Sequence, residues 1–291
     1  MINKCVQLRK MLQSGKLIVA PGAYDGISAR LVEKAGFPAI YVTGAGVASS
    51  RLGLPDMGLT TMIEALEAVR NIVNVTSIPV ICDADTGYGN ALNLIRTVRE
   101  FEKIGVAALQ IEDQVTPKRC GHTEGKQLIT KEEMVKKIEA FRFARTNDDL
   151  VLIARTDAIA VNGFDDAIER ARAYAAAGAD VIFVEAPCSV EQLKAVVQAL
   201  PGVLLLVNMV EGGGKTPILP ASELEAIGFN LAIYPTSVWM ASIYAIQKVL
   251  QELKIHGTPD GYADKMVSFE EMFELVDRSG YMALEKRFLA L

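Results

Sequence analysis

The chain has 291 residues, 51% of them hydrophobic and 22% charged, and a formal net charge of −5. That is enough apolar material for a substantial core, which excludes a disordered chain. Mild acidity without a long basic run argues against nucleic acid as a partner, and no apolar stretch approaches the roughly 20 residues needed to span a bilayer.

The N-terminal segment carries Leu8, Met11 and Leu12 at helical spacing, the pattern of an amphipathic helix. It lacks the continuous apolar run and small-residue cleavage site of a secretory signal. The four cysteines (Cys5, Cys82, Cys120 and Cys188) are far apart and lack metal-ligand spacing, which fits a reduced cytoplasmic compartment.

Eight short apolar, β-branched runs then follow along the chain, at 17–20, 39–42, 79–82, 107–111, 151–154, 181–184, 203–207 and 231–234. Helix-period segments lie between most of them, at 62–73, 92–104, 131–145, 165–177 and 190–200. Continuous apolar strands suit a parallel sheet buried on both faces, and alternation with helices implies βαβ crossovers. Eight such units predict a closed (β/α)₈ TIM barrel. No Gly-x-Gly-x-x-Gly opens a helix after the first strand, so a dinucleotide-binding sheet is disfavoured. Past the eighth strand, 237–254 reads as a long helix, His256-Gly257-Thr258-Pro259 as a break, and 268–277 and 281–288 as two more helices. The expectation is one barrel domain over 1–291 with a helical extension from about residue 237, free to cover a neighbouring subunit.

Polar residues stand where the apolar runs stop: Tyr41 and Thr43, Asp83 and Asp85, Glu112 and Asp113, Arg155 and Asp157, Glu185, Asn208, then Tyr234. In a parallel barrel these ends emerge on one face, where barrel enzymes place their active sites. So many carboxylates on one rim call for counter-charge. Asp83, Asp85 and Glu112 are hard oxygen ligands of the kind Mg²⁺ accepts, often partly through water, and Mn²⁺ takes similar donors.

Lys118-Arg119-Cys120-Gly121-His122 concentrates a thiol, an imidazole and two fixed cations in five residues. The cations should stabilise thiolate and lower the Cys120 pKa, and Gly121 with the polar run after it predicts a mobile loop. Gly212-Gly213-Gly214-Lys215-Thr216 lacks Walker spacing and reads as a flexible active-site loop. Cys82 and Cys188 read as structural, Trp239 as packing and His256 as surface.

Together these residues resemble the isocitrate lyase and phosphoenolpyruvate mutase superfamily over nearly the whole chain. The resemblance is carried by Pro21-Gly22-Ala23-Tyr24-Asp25, Leu52-Gly53-Leu54-Pro55-Asp56, Asp83-Ala84-Asp85-Thr86-Gly87-Tyr88-Gly89 and Ile111-Glu112-Asp113-Gln114. The cysteine loop, Ala154-Arg155-Thr156-Asp157-Ala158 and Asn208-Met209-Val210-Glu211 add to it. It implies a barrel whose eighth helix is exchanged with a partner, in a homotetramer built from two such dimers. It also implies Mg²⁺ held by Asp83 and Asp85, directly or through water, with Glu112 in the same network. Thr43, Gly44 and Ala45 would line a substrate carboxylate with Tyr41 beside them, and Arg155, Glu185 and Asn208 would bind the oxygen-bearing end. Cys120 would be the catalytic acid, and Gly121 would supply a backbone contact. His122 would orient Cys120, bind carboxylate or merely cap the loop. Tyr41, Glu185 and a metal-bound water stay open as the base.

The Cys-Gly-His element resembles that of the carbon–carbon lyases, in particular those acting on 2-methylisocitrate and 2,3-dimethylmalate. Where methylisocitrate lyases carry an arginine five residues after the Tyr-Pro of strand eight, this chain has Met240. The cysteine loop continues His122-Thr123-Glu124 instead of His-Arg-Pro. A third carboxylate buried there without a cation would be costly. The resemblance therefore implies Mg-dependent cleavage of a 2-hydroxydicarboxylate such as 2,3-dimethylmalate into pyruvate and propionate. Cleavage of 2-methylisocitrate to pyruvate and succinate is the alternative, followed by oxaloacetate hydrolysis or decarboxylation and by phosphonate chemistry. The intact set of Asp83, Asp85, Glu112, Cys120 and Arg155 argues against a non-catalytic barrel.

Overall fold

The computed structural model describes residues 3–289. Helix α1 (Lys4–Leu12) is capped by Asn3, whose side chain accepts the amides of Cys5 and Val6. Eight parallel strands follow and close into a barrel in sequence order: β1 (Ile18–Ala23), β2 (Ile40–Val42), β3 (Val80–Asp83), β4 (Ala108–Glu112), β5 (Val151–Thr156), β6 (Val181–Val184), β7 (Leu205–Asn208) and β8 (Leu231–Tyr234). All eight coincide with the predicted apolar runs to within a few residues. Around them lie α2 (Gly26–Lys34), α3 (Gly44–Val47), α4 (Met62–Val75), α5 (Ala91–Lys103), α6 (Lys131–Ala144), α7 (Phe164–Ala176), α8 (Val190–Ala199) and α9 (Ala221–Ile227). Helices α2, α3 and α9, of nine, four and seven residues, have no predicted counterpart. What starts α2 is local: Asp25 and Ser28 form a reciprocal capping box.

The core has two layers because side chains alternate along each strand. One set points outward against the helices, such as Leu152 and Ala154 of β5. The other fills the barrel, with Val151 and Ile153 of β5 meeting Ile81, Ala108, Phe183, Leu206 and Ile233, while Leu8 and Leu12 of α1 join the same cluster. The inward parity continues past the apolar residues into the polar ones: Ile81 to Asp83, Ala108 to Gln110 and Glu112, Ile153 to Arg155, Phe183 to Glu185, Leu206 to Asn208. Lateral register then sets neighbours, pairing Asp83 with Gln110 and Glu112 with Arg155 on adjacent strands.

The C-terminal extension is helical, as predicted: α10 (Ser237–His256), then α11 (Phe269–Leu275) and α12 (Arg278–Phe288). The predicted helix 268–277 ends early, because Asp277 turns left-handed (φ 57°) and caps α12 through the Gly280 amide. None of these three helices has a buried residue. Among the described residues no helix is long and apolar enough to cross a membrane.

Candidate active site

A cavity of about 60 Å³ opens at the C-terminal ends of the strands. Its walls include Tyr41, Thr43 and Ala45, Asp83, Arg155, Glu185 and Asn208, and from the loop after β4 Lys118, Cys120, Gly121 and His122. Gly44 and Asp85 bound a smaller adjoining space with Asp83 and Tyr88. Strand parity brings most of these residues together from six separate strands and the segments that follow them.

Burial, and then the nearby charge of Asp85, pushes the Asp83 carboxyl up to about 6, and burial pushes Glu112 well above the carboxylate range. Asp83 Oδ1 accepts the Asp85 amide at 3.1 Å and the Gln110 side chain at 3.3 Å. Lys118 Nζ lies 2.9 Å from Asp85 Oδ1 but off the line of a hydrogen bond, and it also pairs with Asp56. Asp85 Oδ1 and both Glu112 oxygens are thus buried without a hydrogen bond. Hard carboxylate oxygens buried without a hydrogen bond fit a divalent cation. Among the described residues no three acidic, histidine or cysteine side chains converge into a closed ligand set. Asp83 and Asp85 offer oxygen donors of the kind Mg²⁺ accepts, often partly through water. Asp85 takes φ 48°, and its turn is pinned from outside by the buried Lys137 of α6, whose ammonium donates to the Thr86 carbonyl at 2.9 Å.

Arg155 is the hub of the cavity floor. It donates to Asp157 through Nε and Nη2, both at 2.9 Å, and lies 3.3 Å from Glu112 and 3.5 Å from Glu185, over the Phe183 ring. Burial opposes ionisation of Glu185, yet Arg155 and His122 hold its carboxyl below the usual value. The Asn208 amide also approaches both Glu185 oxygens at 3.4 Å. Tyr41 is different: burial raises its phenol far above the ordinary value, and its hydroxyl donates to Gln110 at 3.1 Å. It is a neutral donor in this arrangement.

The loop after β4 is stapled at its base by the Gln114–Leu128 bridge and by the Gln114 side chain, which bonds both the amide and the carbonyl of Arg119. The expectation that Lys118 and Arg119 lower the Cys120 pKa is corrected here. Burial pushes the thiol up and outweighs the lowering pull of Arg155 and of Lys118, which also pairs with Asp56 and Asp85, while Arg119 is exposed. The thiol is therefore kept protonated at neutral pH. His122 Nδ1 accepts the Lys215 amide at 3.0 Å, which leaves the ring proton on Nε2, 3.1 Å from Glu185. Met240, the remaining predicted substrate contact, lies outside the cavity wall: it is 39% exposed and packs over Gly212. The apolar walls are Val210, Ile233 and Pro235.

Sequence reasoning left Gln110, Asp56, Lys126 and Lys137 without roles. Parity along β4 was the available signal for Gln110. The two lysines carry none, because Asp157 and Thr86, which they bond, lie 31 and 51 positions away.

A closed eight-stranded barrel with acidic residues, an arginine and a cysteine loop at its C-terminal mouth has the arrangement of a barrel enzyme with its active site at that face. The chain belongs to the phosphoenolpyruvate mutase and isocitrate lyase superfamily: the family model described as phosphoenolpyruvate phosphomutase matches residues 8–254. It is 47% identical to the 2,3-dimethylmalate lyase of Eubacterium barkeri, over 98% of this chain and 96% of that one. It is 44% identical to the 2-methylisocitrate lyase of Aeropyrum pernix, over 96% and 88%. A crystal structure of 2,3-dimethylmalate lyase superposes with a TM-score of 0.94 at 40% identity, covering 99% and 96% of the two chains. Phosphonopyruvate hydrolase in complex with oxalate and Mg²⁺ superposes at 0.91 and 32% identity, covering 99% and 100%.

Proposed function

We propose that the chain is a divalent-cation-dependent carbon–carbon lyase that cleaves a 2-hydroxydicarboxylate of the 2,3-dimethylmalate kind into pyruvate and propionate. The observation that carries the dicarboxylate reading is the charge inventory of the cavity. Lys118 and Arg155 are the fixed cations in its wall, each already paired with carboxylates, and the wall near β7 and β8 (Asn208, Val210, Ile233, Pro235 and Thr236) adds no further cation. A third substrate carboxylate would be desolvated there without a partner. A pendant methyl group would not.

When bound by Asp83 and Asp85, with Glu112 in the same network, Mg²⁺ or Mn²⁺ supplies Lewis-acid polarisation of the substrate hydroxyl and its adjacent carboxylate. Glu185, ionised and adjacent to a donor imidazole, takes the hydroxyl proton. As the C2–O bond becomes the ketone of pyruvate, the C2–C3 bond breaks and its electron pair stays on C3, beside the second carboxylate. Amides of Gly44 and Ala45, at the start of α3 behind the Thr43 cap, hold one carboxylate end, and Arg155 faces the developing charge with Asn208 beside it. The Cys120 thiol gives its proton to C3 and releases propionate. Gly121 lets the loop approach Arg155 and Glu185 closely, and the closed loop keeps water from the carbanion.

The bare faces of α10 to α12 support a homotetramer of helix-exchanged dimers, and four free cysteines with a working thiol support a reducing, cytoplasmic setting.

The test is pyruvate release, coupled to a dehydrogenase, on separate stereoisomers of 2,3-dimethylmalate and 2-methylisocitrate. Turnover of dimethylmalate that disappears with EDTA and in Cys120→Ser is the expected result. Preference for methylisocitrate would overturn the dicarboxylate reading, and pyruvate from neither would move the search to oxaloacetate and phosphonates.

A further inference from the structure

Lys126 is a buried cation that the cleavage chemistry does not use. Its side chain is 1% exposed, although it belongs to the loop between β4 and α6, where a lysine ordinarily keeps its ammonium in water. The ammonium donates to Asp157 Oδ1 at 2.9 Å and to the carbonyl of Gly121. Asp157 is itself fixed. Arg155 grips both its oxygens, and its amide donates to Asp113 Oδ1 at 3.0 Å. Asp113 in turn accepts the Tyr174 hydroxyl at 2.7 Å, the Thr156 hydroxyl at 2.8 Å and Arg170 at 3.2 Å. One ammonium therefore ties the residue next to Cys120 to a rigid polar network spanning β4, β5 and α7.

The loop needs such a tie at Gly121. There the backbone lies directly on charged groups, so closely that a Cβ would overlap the Arg155 guanidinium and the Glu185 carboxylate. No apolar side chain can hold that contact shut. An ion pair can, and it favours two states over intermediate ones, because a half-open loop would leave the ammonium buried without its acceptors. Release leaves no orphan on the other side, since Asp157 keeps Arg155.

We propose that Lys126 is the latch of the Cys120 loop, a positioning residue whose ammonium holds Gly121 against Asp157 while the loop is shut and returns to water when it opens. The assignment of the loop's work rests on the lyase reading of the same site. The latch itself is independent of which substrate the cavity takes.

The test is alkylation of the full chain by iodoacetamide, in Mg²⁺ and without substrate, with each cysteine followed by peptide mass. Lys126→Met keeps the stem volume and removes the cation. It is expected to speed Cys120 labelling about tenfold, the scale of one lost charge-assisted hydrogen bond acting on an opening equilibrium. Exposed Cys188 should keep its rate, and buried Cys5 and Cys82 should stay protected. Lys126→Arg, which keeps the cation, should bring Cys120 back toward the wild-type rate. A wild-type Cys120 rate in Lys126→Met, or equal rates in the Met and Arg variants, overturns the proposal. Labelling of Cys5 and Cys82 would mean a lost fold, and then the unsubstituted protein decides. Warmed below its melting transition, its Lys126 must become open to acetic anhydride in step with Cys120 alkylation. Cys120 reacting while Lys126 stays protected overturns the latch. Because labelling needs no substrate, failure of the pyruvate assay and failure of the latch are separate results.

Discussion

Cys120 and Glu185 line one cavity and are pushed in opposite directions: burial raises the thiol, while Arg155 and His122 hold the carboxyl down against its own burial. These shifts leave the thiol protonated and the carboxyl ionised at neutral pH, the resting states a proton donor and a proton acceptor require. Alkylation of Cys120, read by peptide mass across pH, should therefore titrate above the ordinary thiol value of 9.0. A midpoint near neutrality would mean that Lys118 and Arg119 outweigh burial after all, and that the thiol is the wrong acid. Gly121 makes a second residue-scale prediction. Gly121→Ala should lose about a hundredfold or more in kcat/KM, because the added methyl displaces the guanidinium and carboxylate it meets. Full turnover in that variant would show that the Arg155–Glu185 geometry is not needed.

At the scale of elements, the strands act as rulers and the βα loops as carriers. Parity along β3 to β7 aims Asp83, Glu112, Arg155, Glu185 and Asn208 inward from positions already set by the apolar core beneath them. The end of β5 is a point of stored charge: Asp157 sits at about 2, since Arg155 and Lys126 overcome the burial that opposes its ionisation. A folded pKa below the unfolded value near 3.8 means stability that is full above about pH 4 and lost as pH falls through 2. Urea midpoints measured down this range should fall, and Lys126→Met, with one cation gone, should begin its fall at a higher pH. Superimposed acid limbs would exclude Lys126 as a partner of the Asp157 charge.

For the whole molecule, the barrel closes within one chain, and the helices beyond it leave apolar side chains exposed. Along α10, Ile246 and Leu250 are more than half exposed, as are Tyr281, Met282 and Phe288 of α12. Exposed apolar side chains in such numbers are the pattern expected of a surface that another chain covers. Light scattering during gel filtration should give a multiple of the 31.5 kDa chain mass, and a paired Ile246→Glu, Leu250→Glu substitution should reduce it. A wild-type monomer would sink the assembly.

The sequence by itself determined the strands and the chemistry at their ends, because eight β-branched runs and their polar stops are local signals whose meaning depends only on period and order. Asp83, Asp85, Glu112, Arg155, Glu185 and Asn208 are legible there as one rim once a parallel barrel is inferred. The protonation of Cys120 was decided by tertiary structure alone: its sequence neighbours are cations, but folding commits Lys118 to Asp56 and Asp85 and buries the thiol. The same holds for Lys126, whose partner Asp157 is 31 positions away, and for Gln110, which the lateral register of β3 on β4 sets beside Asp83. Desolvation and long-range pairing are properties of the packed state, and no local pattern encodes them.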